Sequence, residues 1–346
     1  MRHFDYSKLK DRLWDTEVVN YLSQIHEAKG KQSLYLKQKP ERLDRLVEIA
    51  KIQSTEASNE IEGIRTTETR LRRLMNEKTS PQNRDESEIA GYRDALRVVH
   101  ESFEYIPLAP NYVLQLHKIM LSHTDSAFGG SFKNVQNYIS ATDSAGKTYT
   151  LFTPLAPYET APAMQELCDA YNRAIGEGKV DPLILIPIFI HDFLCIHPFL
   201  DGNGRMSRLL TTLLLYRAGY EVGKYISLEA KIAKNKGAYY AALELSQAGW
   251  HEENDDPTPF IKYLLGTIIS AYRDFEDRMD IISPASEDTV RKAVESKIGK
   301  FTKREIVELC PNMSASTVER NLRAMVNRGE VEKQGAGKKT FYIRRF

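Results

Sequence analysis

Cysteine is scarce. The 346 residues hold three, Cys168, Cys195 and Cys310, an odd number at wide spacing. That argues against a disulfide framework or a clustered zinc site, and makes a reducing cytoplasm the expected home. Long apolar runs are missing too: nothing approaches the roughly 18 residues needed to cross a bilayer. The opening Met1-Arg2-His3-Phe4-Asp5 lacks the apolar stretch of a signal peptide, so no membrane association is expected. Nor does one sign of charge dominate, since 48 Lys+Arg face 47 Asp+Glu. Internal repeats and low-complexity tracts are absent. What remains is a globular composition, 42% hydrophobic and 27% charged, on a chain long enough for two or three domains.

The patterning is mostly helical. Across Arg42–Ile64, the residues Leu43, Leu46, Val47, Ala50 and Ile61 recur at helical intervals, with Pro40 before the start and Gly63 near the end. Residues 79–85 read as a loop, followed by helices over Glu86–His100 and Asn111–Ser122. After Phe128-Gly129-Gly130 the composition shifts to Tyr, Thr, Val and Ile. Asp143-Ser144-Ala145-Gly146 then marks a turn, which predicts a β-hairpin within residues 138–153. Helices return over Ala161–Ile175, Leu183–Ile196, Gly204–Arg217, Leu228–Ala248 and Pro257–Met279. The second of these is apolar on nearly all sides and so predicted to be central. Ile282-Ser283-Pro284 reads as a boundary. Beyond it, residues 286–346 carry 14 Lys/Arg against 8 Asp/Glu, leaving 34 against 39 in residues 1–285.

The richest stretch for chemistry is Ile196-His197-Pro198-Phe199-Leu200-Asp201-Gly202-Asn203-Gly204-Arg205-Met206-Ser207-Arg208. A buried helix runs into a glycine-containing turn from which a second helix starts. Such a turn aims several backbone N–H groups at one point, beside the positive helix end. Arg205 and Arg208, three apart, are expected to project to one side and grip phosphate oxygens. Asp201 offers a hard carboxylate for Mg²⁺, and His197 a general base. His191, six residues earlier, reads as a hydrogen-bonded core residue.

This stretch is not a P-loop. It resembles the Fic-family signature H-P-F-x-[DE]-G-N-G-R-x-x-R, and His197, Pro198, Phe199, Asp201, Gly202, Asn203, Gly204, Arg205 and Arg208 match every specified position. The resemblance runs over residues 50–220 and departs at Lys133, read as a surface charge, where the family commonly has Arg. It implies a protein adenylyltransferase. His197 would deprotonate a Ser, Thr or Tyr hydroxyl of a protein for attack on the α-phosphorus of ATP, and Asp201 would hold Mg²⁺. Gly202, Asn203 and Gly204 would form the anion hole, and Arg205 and Arg208 would bind the β- and γ-phosphates. Arg rather than Lys at 205 points to AMP transfer rather than to a kinase. The hairpin would be a flap that binds the target by strand addition. Self-modification, AMP removal by hydrolysis and a nucleotide-sensing, DNA-binding regulator are the alternative readings.

Upstream, Ser58-Asn59-Glu60-Ile61-Glu62-Gly63 resembles the family's inhibitory pattern [ST]-x-x-x-E-[GN]. The resemblance implies that Glu62 pairs with Arg208, with Ser58 supporting the loop. Residues 286–346 order as helices Glu287–Ile298, Thr302–Leu309 and Ser314–Arg328, then extended Gly329–Gln334 and Lys339–Arg345. This resembles a winged helix-turn-helix, a module that binds DNA or protein or makes a homodimer. On DNA, Ser316, Thr317, Arg320 and Asn321 would enter the major groove, with Lys338, Lys339, Arg344 and Arg345 near the wing. The expected architecture is mainly α: an N-terminal helical region (1–110), a catalytic core with a hairpin flap (111–280) and the winged helix (286–346).

Overall fold

The computed structural model describes residues 2–38, 43–142, 146–281, 286–311, 313–335, 337 and 340–345. Pro40, the turn residues 143–145, the boundary 282–284, Lys338 and Lys339 lie outside the described residues.

In chain order come α1 (Thr16–Gln38), α2 (Asp44–Ile61), α3 (Glu68–Met75), α4 (Arg84–Ser102) and α5 (Pro110–Met120), then the strands β1 (Ile139–Thr142) and β2 (Thr148–Phe152). Next are α6 (Pro157–Glu177), α7 (Pro182–Ile196), α8 (Asn203–Arg217), α9 (Leu228–Lys234), α10 (Lys236–Gln247) and α11 (Thr258–Ile281). The last part holds α12 (Ser286–Glu295), β3 (Lys300–Phe301), α13 (Lys303–Leu309), α14 (Ala315–Asn327), β4 (Val331–Gln334) and β5 (Phe341–Arg344).

Apolar α7 is the centre of the larger core, which runs from Phe4 to Met279. Asp181 caps it by accepting the Leu183 N–H, and Pro182 opens its first turn. Helices α6, α8, α10 and α11 surround it. Helix α2 packs on α4 and α9, and it ends in a Schellman turn. Gly63 takes φ +85°, its N–H reaches the Glu60 carbonyl, and the Ile64 N–H reaches the Asn59 carbonyl. Glu62 therefore sits at a fixed helix end, not inside a helix running to Ile64.

The predicted helix Leu228–Ala248 is two helices. Asn235 (φ −129°, ψ 42°) leaves the helical region between α9 and α10. Apolar positions continue across the break, so periodicity does not report it. The predicted hairpin is present as antiparallel β1 and β2, with Ser140 opposite Thr150 and a register shift between Ile139 and Ser140.

Residues 286–345 enclose a second core, including Val290, Phe301, Val318, Leu322 and Tyr342. Strand β5 pairs antiparallel with both β4 and β3. At two residues, β3 is too short for a sequence signal. Among the described residues no helix is long and apolar enough to cross a membrane.

Candidate active site

The loop between α7 and α8 is built from its own backbone outward. His197 ends α7 in the left-handed region (φ 50°, ψ 62°), which turns the chain sharply. Phe199 is fully buried and stacks on His117, with ring centroids 3.7 Å apart. The Asn203 side chain closes a clasp on Phe199: Oδ1 accepts the Phe199 N–H at 2.9 Å and Nδ2 donates to its carbonyl at 2.8 Å. Asn137 donates to the carbonyls of His197 and Phe199 at 3.2 and 2.9 Å.

Lys133 is not a surface charge. It is 3% exposed, and its ammonium donates to the Ile196 carbonyl and to Asn137 Oδ1 at 3.0 and 2.9 Å. Its backbone N–H also reaches the Pro198 carbonyl. Burial brings its pKa down to about 8. The Lys replacing Arg thus fastens the loop, a role set by carbonyls more than 60 residues away in sequence.

His197 is held as a neutral base. Its Nδ1 lies 3.1 Å from the Leu194 carbonyl. A carbonyl only accepts, so Nδ1 carries the proton and the Nε2 lone pair is left for a substrate. Burial, aided by the Lys133 charge, lowers its pKa to about 4. His117, absent from the sequence reading, is also neutral. Its Nδ1 accepts the Gly130 N–H, its Nε2 faces the Asp201 carbonyl at 3.1 Å, and burial lowers its pKa to about 4.

At the start of α8, Gly202 takes φ +83° and begins the turn of Gly202, Asn203 and Gly204. The place before Gly204 is filled by an anion of the chain itself. A Cβ on Gly204 would overlap Glu62 Oε1, so the Glu62 carboxylate lies against the positive end of α8. Glu62 Oε1 also pairs with Arg208 Nη2 at 2.7 Å. Arg208 is 3% exposed and donates further to Ser58, from Nε to Oγ at 2.8 Å and from Nη2 to the carbonyl at 2.9 Å. Burial works against its charge, but Glu62 and the tyrosines Tyr239 and Tyr92 outweigh that and raise its pKa.

Arg205 and Arg208 do not project to one side. Arg205 is 1% exposed and turns to α4, where Nη1 is 2.7 Å from Glu88 Oε2; Nη2 is 3.5 Å from Asp201 Oδ1. Arg208 instead turns to α2. Helix α8 runs between two acidic partners, and each guanidinium follows its own. In this state Arg205 positions Asp201, which is half-exposed, accepts the Gly202 N–H at 2.6 Å and has Arg84 3.6 Å away.

His197, Asp201, Gly202, Asn203, Gly204, Arg205, Arg208 and Glu62 all line one cavity of about 550 Å³. Ser58 stands behind Arg208 and is fully buried. The flap contributes Ile139, Ser140, Ala141 and Leu151, and α10 contributes Tyr240 and Leu243. The α10 wall was missed in the sequence, although adjacent tyrosines on a predicted helix were a signal. His191 is buried with Nε2 3.6 Å from Cys195 Sγ. Its neighbours Asp192 and Asp255 form a metal-like group with it, but Arg2 lies between the two carboxylates, and Tyr6 and Trp250 donate to Asp192. That cluster is an internal ion pair.

In the C-terminal unit, Ser316 and Arg320 are exposed at the start of α14, and Thr317 is partly so. Asn321 is buried and donates to the Thr317 carbonyl at 2.9 Å, so it faces inward, not towards a groove. Arg344 reaches the Glu295 carbonyl, and Arg345 pairs with Glu332.

Residues 107–215 match the family model described as Fic/DOC family. The chain is 28% identical over 247 residues to Protein adenylyltransferase Fic of Drosophila yakuba, covering 70% of this chain and 43% of that protein. It is 28% identical over 184 residues to Protein adenylyltransferase fic-1 of Caenorhabditis briggsae, covering 52% and 32%. The chain thus spans less than half the length of these relatives. Among solved structures, a Fic family protein from Desulfovibrio desulfuricans G20 superposes with a TM-score of 0.64 at 20% identity, covering 96% of this chain and 97% of that one. A Fic domain containing signaling protein from Bacteroides thetaiotaomicron gives 0.61 at 23% identity, covering 78% and 100%. Residues 107–215 are thus similar to the Fic/DOC family, and the fold of the chain is that of the Fic structures it superposes on.

Proposed function

We propose that this chain is a protein adenylyltransferase that moves AMP from ATP to a Ser, Thr or Tyr hydroxyl of a protein, and that Glu62 restrains it. The observation that carries the reading is the joint placement, in one cavity, of a neutral His197 and the N-terminus of α8. His197 Nε2 would take the hydroxyl proton as the oxygen bonds to the α-phosphorus and the bond to pyrophosphate breaks. The N–H groups of Gly202, Asn203 and Gly204 would receive the phosphate oxygens. A Mg²⁺ ion fits the donor set: one half-exposed carboxylate, Asp201, with the remaining ligands left to phosphate and water. Bound there, it would neutralise the phosphate charge. Arg208 would pair with phosphate once Glu62 withdraws. The base would rest against Tyr240 and Leu243, and the hairpin would add the target segment as a strand.

Glu62 occupies both the anion position and the Arg208 guanidinium, which supports inhibition by competition. Because this carboxylate also lines the His197 cavity, it can hold a water there, which favours AMP removal as a second activity. The decisive assay incubates wild type, Glu62→Gly and Glu62→Gly/His197→Ala with Mg²⁺ and α- or γ-labelled ATP in cell lysate. Label kept only from the α position, strongest in Glu62→Gly and lost without His197, is expected. Label from the γ position instead means a kinase.

For residues 286–345 we propose a winged helix with exposed Ser316 and Arg320 leading into a DNA groove. Affinity for duplex DNA that falls steeply with salt and drops in Arg320→Ala is the expected result in a fluorescence-anisotropy titration. Salt-independent or absent binding leaves the unit a protein contact.

A further inference from the structure

A second cavity, of about 590 Å³, lies among α2, α9, α11 and the C-terminal unit. Seven Lys and Arg side chains line it against five carboxylates. The carboxylates are already engaged: Asp274 by Lys231 at 2.8 Å, Glu305 by Lys297 at 3.2 Å, and Glu60 by Arg65 at 3.1 Å. Glu308 and Glu56 both pair with Arg304, at 3.0 and 3.3 Å. That leaves Lys234, Lys236 and Arg278 without a carboxylate partner among the described residues. Lys236 donates to the Ile61 carbonyl, one residue before Glu62.

Arg278 is the telling residue. It is 7% exposed, and neither Nε nor Nη1 has a hydrogen-bond partner among the described residues. Asp274 and Glu308 act on it only from a distance, and burial dominates. An arginine this deep is normally matched by a carboxylate, because desolvating an unpaired guanidinium is costly. Its fork suits the paired oxygens of an oxyanion, and the cavity size falls within the ordinary range for small-molecule sites.

We infer that this cavity binds a small polyanion bearing phosphate groups, which completes the hydrogen bonds of Arg278 and bridges it to Lys234 and Arg304. The three cations come from α11, α9 and α13, so the ligand would tie the C-terminal unit to the larger core. The excess of cations calls for more than one negative charge, and a linear phosphate chain spans side chains on separate elements.

The test is calorimetric titration of the full chain with inorganic triphosphate. The wild type is expected to bind. Arg304→Gln and Lys234→Gln, both at the surface, should each weaken binding roughly tenfold. Arg278→Met should abolish it while raising Tm in the absence of anion, because a buried charge with no carboxylate pair among the described residues is gone. Arg208→Lys, a change at the α8 position, should leave the affinity unaltered, and short duplex DNA should not displace the triphosphate. The inference is overturned if the wild type does not bind, if Arg208→Lys alone removes binding, if duplex DNA competes, or if Arg304→Gln and Lys234→Gln bind as the wild type does. Should Arg278→Met fail to fold, those two surface variants decide. None of these readouts depends on AMP transfer.

Discussion

Two regions face the same cavity and are built on opposite terms. In the loop from His197 to Asn203, the carbonyls of His197, Pro198, Phe199 and Asp201 all have partners, supplied by Asn137, Lys133, Asn203 and His117. The hairpin β1–β2 is held by its own antiparallel pairing and, at one end, by Phe152 against Trp250 and His251, while Ser140, Thr148, Tyr149 and Thr150 are exposed, Tyr149 at 48%. A reacting atom displaced by a fraction of an ångström loses rate, so its support is overdetermined. A strand that must receive another chain needs an open edge. Rigidity and availability are therefore separated in space, a few residues apart across one cavity.

This contrast breaks most easily at Asn203. Asn203→Ala removes both halves of the clasp, and we expect about 2 kcal/mol lower stability in urea unfolding and roughly a hundredfold loss of AMP transfer. Near-wild-type rates would mean that the loop holds its shape without the clasp.

A smaller effect is expected from pH. On the proposed reading His197 acts as a neutral base, and burial holds its pKa at about 4, so the rate should hold from pH 8 to about 5 and fall only below that. Lys133 helps to depress that pKa, so Lys133→Met should shift the acid limb to higher pH. Stability follows the same sign. His100, His117 and His197 sit at about 3, 4 and 4 in the fold, whereas the unfolded chain takes up these protons from about pH 6.5. Stability should thus be full above about 6.5 and decline as pH falls towards 4, measurable as a falling urea midpoint.

The smallest effect belongs to the hairpin. In an antiparallel pair the outward N–H alternates between neighbours. Of Ser140→Pro and Ala141→Pro, the one that removes an outward N–H should raise the KM for the protein acceptor by about tenfold and leave stability unchanged. An unchanged KM in both would move recognition off the flap edge.

Legibility in the sequence followed locality. The turn between α7 and α8 is contiguous, so its glycines, His197 and Asp201 could be read together, as could the hairpin, from its Tyr, Thr, Val and Ile and the turn residues between them. The divergence of Arg205 and Arg208 could not, because it is decided by Glu88 and Glu62 on other helices. Lys133 looked like any surface lysine because its carbonyl partners lie far along the chain. Asn137 and His117 carry no sequence signal of their own. They matter because folding brings them against Phe199.

The Schellman turn at residues 59–64 has a consequence for control. It tethers the Glu62 carboxylate beside Arg208 and Gly204, so this competitor has a fixed effective concentration that dilution cannot lower. On the proposed reading, the fraction of active protein is set by nucleotide level and by whatever displaces the end of α2, not by the amount of protein. Such a brake behaves the same in a dilute assay as in a crowded cell, and it is released only by changing its own equilibrium.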